Sequence, residues 1–97
     1  MAAYLIVTRE EPLQDAEALA EYQRRTRLLS NTVKPLPLVI YGQVVPLEGE
    51  APDGTIICQF DTVEIAKSWY DHPEYQEALN FRLKAAKHRA YIVEGIS

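Results

Sequence analysis

With 97 residues, 47% of them hydrophobic and 25% charged, the chain has the make-up of one soluble globular domain, since two domains would each be too small to bury a core. Ten basic against fourteen acidic residues leave a net charge of -4, which argues against binding a nucleic acid backbone, since the local groups of Lys and Arg are diluted by acidic residues. The single cysteine excludes a disulfide framework, no apolar run approaches the ~20 residues of a membrane span, and residues 1–7 lack a signal peptide's charged start, so cytoplasmic residence is expected.

Residues 3–8 (AYLIVT) are β-branched and aromatic and run into Arg9, Glu10, Glu11 and Pro12, which predicts a strand closing in a charged turn. Alternation sends Ala3, Leu5 and Val7 to one face and Tyr4, Ile6 and Thr8 to the other, and neither set is conventionally solvent-facing. Asp15 is placed to cap a helix over 16–29, where Leu19, Tyr22, Thr26 and Leu29 recur at helical spacing. Glu17, Glu21, Arg24 and Arg25 form its solvated side. Asn31, Pro35 and Pro37 end helical structure, and 38–45 (LVIYGQVV) reads as a second strand with Gly42 marking a bulge, bend or close backbone approach. Turn chemistry over 46–54 (PLEGEAPDG) joins it to a third strand, 55–60 (TIICQF), paired antiparallel. Cys58 inside that apolar run is read as a small buried hydrophobe rather than a nucleophile.

Asp61 or Thr62 caps the next helix, Asp61 and Glu64 having the spacing of a capping box, and Ile65, Ala66 and Trp69 form its inward face. Pro73 suits the first position of a further helix capped by Asp71 or His72 and running to about residue 88. Tyr75, Leu79, Arg82 or Leu83, and Ala86 recur along it at helical spacing, and 90–94 (AYIVE) is the last strand. The order is βαββαβ with the second helix split: an α+β, ferredoxin-like fold with an antiparallel four-stranded sheet in the order 4-1-3-2 and helices on one face. The first strand is apolar on both sides and the second nearly so, so the open face would expose a patch beyond the few hundred Å² that soluble monomers tolerate. A homodimer with the sheets face to face, as in a dimeric α+β barrel, is the expected cover.

No nucleophile elbow, phosphate loop or HExxH motif is present, so no reaction is dictated. His72 reads as a helix cap or a general base, and His88 as a cation near a helix C-terminus. Their separation fits no metal-ligand spacing, and neither a metal nor a cofactor is implied. Tyr22, Tyr41 and Trp69 are core aromatics that, with Arg82, can line a small cavity and orient an anionic or phenolic ligand. Arg82 can equally pair with Asp71 or Glu94. Two functions follow: a dimeric protein binding a hydrophobic or aromatic metabolite, or a cofactor-independent monooxygenase or isomerase with His72, Tyr75 or Arg82 as proton-transfer or anchoring groups.

Tyr4-Leu5-Ile6-Val7, Glu21-Tyr22, Leu47-Glu48-Gly49, the strand ending at Phe60, Ala66-x-x-Trp69-Tyr70, Pro73-Glu74-Tyr75, Arg82 and Val93-Glu94-Gly95 together resemble the DUF1330 family of the dimeric α+β barrel superfamily, over essentially the whole chain. The resemblance implies the ferredoxin-like fold and a face-to-face dimer. It implies no activity, since the family is defined without one, although the wider superfamily includes cofactor-independent monooxygenases, haem-degrading enzymes and small isomerases. His72 departs from the small cap residue usual before the Pro-Glu-Tyr.

Overall fold

A computed structural model describes residues 1–97, in which β1 (Ala3–Arg9), α1 (Ala16–Arg27), β2 (Leu36–Ile40), β3 (Gly54–Phe60), α2 (Val63–Asp71), α3 (Pro73–Ala85) and β4 (His88–Glu94) follow in order. β1 is central, pairing antiparallel with β3 on one side and β4 on the other, while β2 extends the sheet beyond β3. The strand order β2-β3-β1-β4 is the expected 4-1-3-2 read from the opposite edge.

Period-two alternation then decides which residues share a face. Leu5 and Val7 of β1 and Phe60 of β3 point toward the helices, where they pack with Ala66, Trp69, Tyr75 and Leu79 in one core, with Ile56, Cys58 and Ile92 against its rim. Each large side chain so buried contributes about 1.5–3 kcal/mol relative to exposure. The opposite face carries Tyr4 and Ile6 of β1, Ile57 of β3, Leu36 and Val39 of β2, and Tyr91 and Val93 of β4, placed there by the register Ile6↔Ile57, Ile6↔Tyr91, Tyr4↔Val93 and Val39↔Ile57. No element of the chain covers it, and Leu36, Tyr91 and Val93 are 55%, 48% and 45% exposed. The Cα envelope of 32 × 32 × 16 Å is that of one sheet with one layer of helices.

The helix starts follow from local hydrogen bonding. Asp15 accepts from the Ala18 amide at 2.9 Å, as its position before the apolar run requires. Thr62, not Asp61, caps α2, its hydroxyl accepting from the Ile65 amide at 3.1 Å, so the Asp61–Glu64 box does not form. His72 caps α3 through Nδ1, which accepts from the Glu74 amide at 3.2 Å, and its extended backbone (ψ 134°) is what the following proline imposes. A second tie holds the start of α3, where the Ser30 hydroxyl donates to Glu74. That bond, first among the causes, holds the Glu74 carboxyl below its ordinary value.

Several boundaries differ from the sequence reading, and the larger differences have a tertiary reason. β2 begins at Leu36 and stops at Ile40 rather than spanning 38–45. Pro37 is tolerated because β2 is an edge strand, and the irregularity in pairing lies between Pro37 and Val39, not at Gly42. The strand ends because Tyr41 takes a left-handed conformation (φ 53°), its amide donating to the Thr55 carbonyl at 2.9 Å. Gly42 has no atom within 4 Å of where a Cβ would sit; the close approach is at Gly54, whose Cβ would lie 2.7 Å from the Tyr41 ring. α1 stops at Arg27, where the Leu28 amide turns back to the Arg25 carbonyl at 3.0 Å. α3 stops at Ala85 rather than near His88, because Ala86 is extended and His88 already pairs with Arg9 in the sheet.

Candidate functional site

The three helices do not cover the sheet evenly. α2 comes closest to β1, β4 and β3, while α1 runs alongside α3. The gap left between α1 and the β2–β3 side of the sheet is a cavity of about 490 Å³. Its helix wall is Tyr22, Gln23, Thr26 and Arg27, its floor is Ile40, Ile56 and Cys58, and Trp69 of α2 forms its inner flank. Val33, Lys34 and Pro35 from the α1–β2 connection and Tyr41 at the end of β2 complete it. This size and an aromatic, largely apolar wall suit a small organic molecule.

Three of the four side chains singled out as ligand-binding, Tyr22, Tyr41 and Trp69, converge on this cavity. Arg82, the fourth, stands behind the wall, 2% exposed, with its guanidinium carbon 5.8 Å from the centre of the Tyr22 ring. It makes no ion pair, and Asp71 bonds instead to Lys67 at 2.6 Å. Tyr75 lies deeper, 1% exposed, its ring tilted against Trp69 and Tyr70 at centroid distances of 4.4 and 5.3 Å. Its hydroxyl meets that of Tyr22 at 2.9 Å. His72 is elsewhere: its ring nitrogen is engaged at the start of α3, and it is not on the cavity wall.

Electrostatics separate these groups by role. Burial, joined by the nearby Tyr75, raises the Tyr22 phenol well above the ordinary tyrosine value, more than the neighbouring Arg82 lowers it. Tyr22 is therefore a neutral hydrogen-bond donor at physiological pH. Burial likewise raises the Cys58 thiol, keeping it protonated and unreactive, in keeping with its reading as a small hydrophobe. At the mouth, Arg9 lies 4.8 Å over the Tyr41 ring and donates to Asp53 at 2.7 Å, so one arginine holds the ring and the β2–β3 connection together. On the solvated side of α1, hydrogen bonds from Arg24 and then Arg25 hold Glu21 down to about 2.

His88 is not a helix-terminal cation. It opens β4 with Nδ1 donating to the Ala86 carbonyl at 2.9 Å and Nε2 buried without a partner. Burial is the largest cause lowering its pKa, ahead of the opposing bond to Ala86. A histidine whose folded value lies below its unfolded value of about 6.5 stabilises the fold above that value and loses the contribution as pH falls through the window beneath it. Urea unfolding from pH 7.5 to 5.5 is expected to show stability falling toward acid, with a shallower fall in His88→Gln. Equal slopes in the two proteins would rule His88 out as the cause.

Sequence reasoning did not anticipate Gln23, Thr26, Arg27, Lys34 and Ile56 on the wall. Thr26 carried a signal, sharing helical spacing with Tyr22; Lys34 carried none, because its place depends on the path of the α1–β2 connection. No helix is long and apolar enough to cross a membrane. Nowhere do three His, Cys, Asp or Glu side chains gather so as to hold a metal ion.

The sequence matches the family described as "Domain of unknown function (DUF1330)" over residues 2–96. No curated protein sequence matches it. Among solved structures, a dimeric ferredoxin-like protein of unknown function from Thermobifida fusca superposes with a TM-score of 0.65 at 14% identity, covering 98% of this chain and 92% of that one. A dimeric protein of unknown function and ferredoxin-like fold from Bacteroides fragilis gives 0.55 at 17%, covering 97% and 96%. A protein of the EthD family from Bacillus halodurans gives 0.65 at 19%, covering 99% and 100%. At these identities the likeness is one of fold.

Proposed function

We propose that this chain, which belongs to the DUF1330 family, is a homodimeric binding protein that holds a small apolar or aromatic metabolite between α1 and the β2–β3 side of its sheet. The observation that carries the reading is the cavity itself, where three aromatic side chains from three separate parts of the chain meet over an aliphatic floor. The homodimer is supported by the uncovered apolar face of the sheet, and the Thermobifida and Bacteroides proteins of this fold are described as dimeric.

An oxygenase or isomerase using the same cavity would need a group that exchanges a proton near neutral pH. Burial drives Tyr22 and Cys58 away from that range, and His72 is committed to the start of α3. Binding without turnover is accordingly the reading adopted.

Trp69 is the chain's one tryptophan, so its fluorescence reports on this cavity directly. Titration with the neutral dye N-phenyl-1-naphthylamine is expected to quench Trp69 with saturable, one-per-chain binding. Cys58→Phe, which puts a ring into the floor, is expected to weaken that binding at least about tenfold while circular dichroism stays native. An unchanged titration in Cys58→Phe would place the dye elsewhere and defeat the proposal.

A further inference from the structure

We propose that the molecule held here is an aromatic or apolar carboxylate, its anionic head received by the Tyr22 hydroxyl with the Arg82 guanidinium directly behind. The inference rests on the binding reading above and narrows it to a ligand class.

Hydrogen-bond bookkeeping leads to it. Tyr22 and Tyr75 share one contact, at 2.9 Å, and their two oxygens are the acceptors this cluster contributes. Against them stand two hydroxyl protons and the N–H groups of Arg82, whose Nε is buried without a partner. If Tyr75, the more enclosed of the two, donates to Tyr22, then the Tyr22 proton is free for another acceptor, and Tyr22 is the one of the pair that lines the cavity. Donors outnumber acceptors in this cluster, so the Tyr22 hydroxyl has a proton to offer an oxyanion, and the positive charge of Arg82 behind it favours one. A buried guanidinium without a carboxylate is also costly by itself, and Arg82, 2% exposed, takes part in none of the chain's ion pairs. The face of Tyr22, 5.8 Å away, offsets that cost in part.

The wall points the same way. In a protein of net charge -4, the charged residues lining this cavity are Arg27 and Lys34, with no Asp or Glu. Both are exposed, so they attract an anion on its way in, whereas Tyr22 is partly buried on the wall with the buried Arg82 behind it. The apolar floor of Ile40, Ile56 and Cys58 takes the body of the molecule.

Displacement of N-phenyl-1-naphthylamine by 1-naphthaleneacetate and by its uncharged amide isolates the head group. The acid is expected to compete at least about tenfold better than the amide, since a hydrogen bond to a charged group is worth about that much. Arg82→Met and Tyr22→Phe are expected each to remove about tenfold of the acid's affinity; the amide, whose carbonyl can still accept from Tyr22, should lose little in Arg82→Met and less than the acid in Tyr22→Phe. Arg82→Lys should keep part of the preference, and the Arg27→Gln, Lys34→Gln double variant should change the equilibrium constant less than about threefold. Should Arg82→Met fail to fold, Tyr22→Phe carries the test alone. Equal competition by acid and amide overturns the anionic head while leaving the cavity reading intact. Loss of the preference in the double variant with its retention in Tyr22→Phe places the head at the mouth and overturns the assignment. A dye that binds but yields to neither compound overturns the ligand class; a dye that does not bind defeats the underlying reading instead.

Discussion

Ile57→Glu is expected to convert the proposed face-to-face dimer into a monomer of 11.0 kDa. Ile57 sits in the third strand opposite Ile6 and Val39, in the middle of the sheet face that no helix covers. A face about 32 Å on a side offers on the order of 1,000 Å² per partner, against the roughly 800 Å² a side of a standard stable interface. The twofold axis of a face-to-face dimer puts the substitution in twice, so each event buries two carboxylates among Ile, Val, Leu and Tyr. An unpaired buried charge costs several kcal/mol, which weakens association by three or more decades. Because Ile57 faces away from the helices, the variant should keep its native circular dichroism, and N-phenyl-1-naphthylamine should still quench Trp69. Sedimentation at micromolar protein decides the matter: the wild type is expected at twice 11.0 kDa and the variant at 11.0 kDa. Wild-type protein sedimenting as the smaller species would dispose of the dimer.

The same uncovered face explains what could be read from the sequence and what could not. Strand existence, the split helix at His72-Pro73 and the antiparallel order all rest on local signals: apolar runs, a proline at a first helical turn, a long polar connection. The structure shows each of them. Where the reading slipped, a non-local contact had decided. Tyr41 looked like mid-strand because it lies in an apolar run, yet its left-handed turn is held by Arg9 and by the missing side chain at Gly54, both distant in sequence. His88 looked helical by continuation and became a strand residue because Arg9 was available to pair. The cavity was half legible. Tyr22, Tyr41 and Trp69 could be nominated as aromatics with polar tips, but their meeting point depends on how α1, packed alongside α3, is set over the β2–β3 side of the sheet, which no periodicity encodes.

The packing of Trp69 against Tyr75 gives the largest expected loss of stability, with an order that side-chain size alone would reverse. Large aromatic side chains truncated to Ala in a core cost about 3–5 kcal/mol, the amount rising with the void that cannot collapse. Trp69 is the bigger ring, but it flanks the cavity, so the space vacated by Trp69→Ala opens into volume already present. Tyr75 is 1% exposed and enclosed by Trp69, Tyr70 and Tyr22, at centroid distances of 4.4, 5.3 and 6.1 Å. Tyr75→Ala therefore leaves a closed void and also strips the Tyr22 hydroxyl of its partner. Tyr75→Ala is expected near the upper end of that range and Trp69→Ala near the lower. Tyr75→Phe, which removes the hydroxyl and keeps the ring, should cost about 1 kcal/mol. Guanidinium unfolding followed by circular dichroism measures all three without relying on the tryptophan signal, and comparable slopes are required for the midpoints to be compared. If Trp69→Ala proves the more destabilising, the wall at Trp69 is packed solid in solution, and the space assigned to a ligand is not there to be filled.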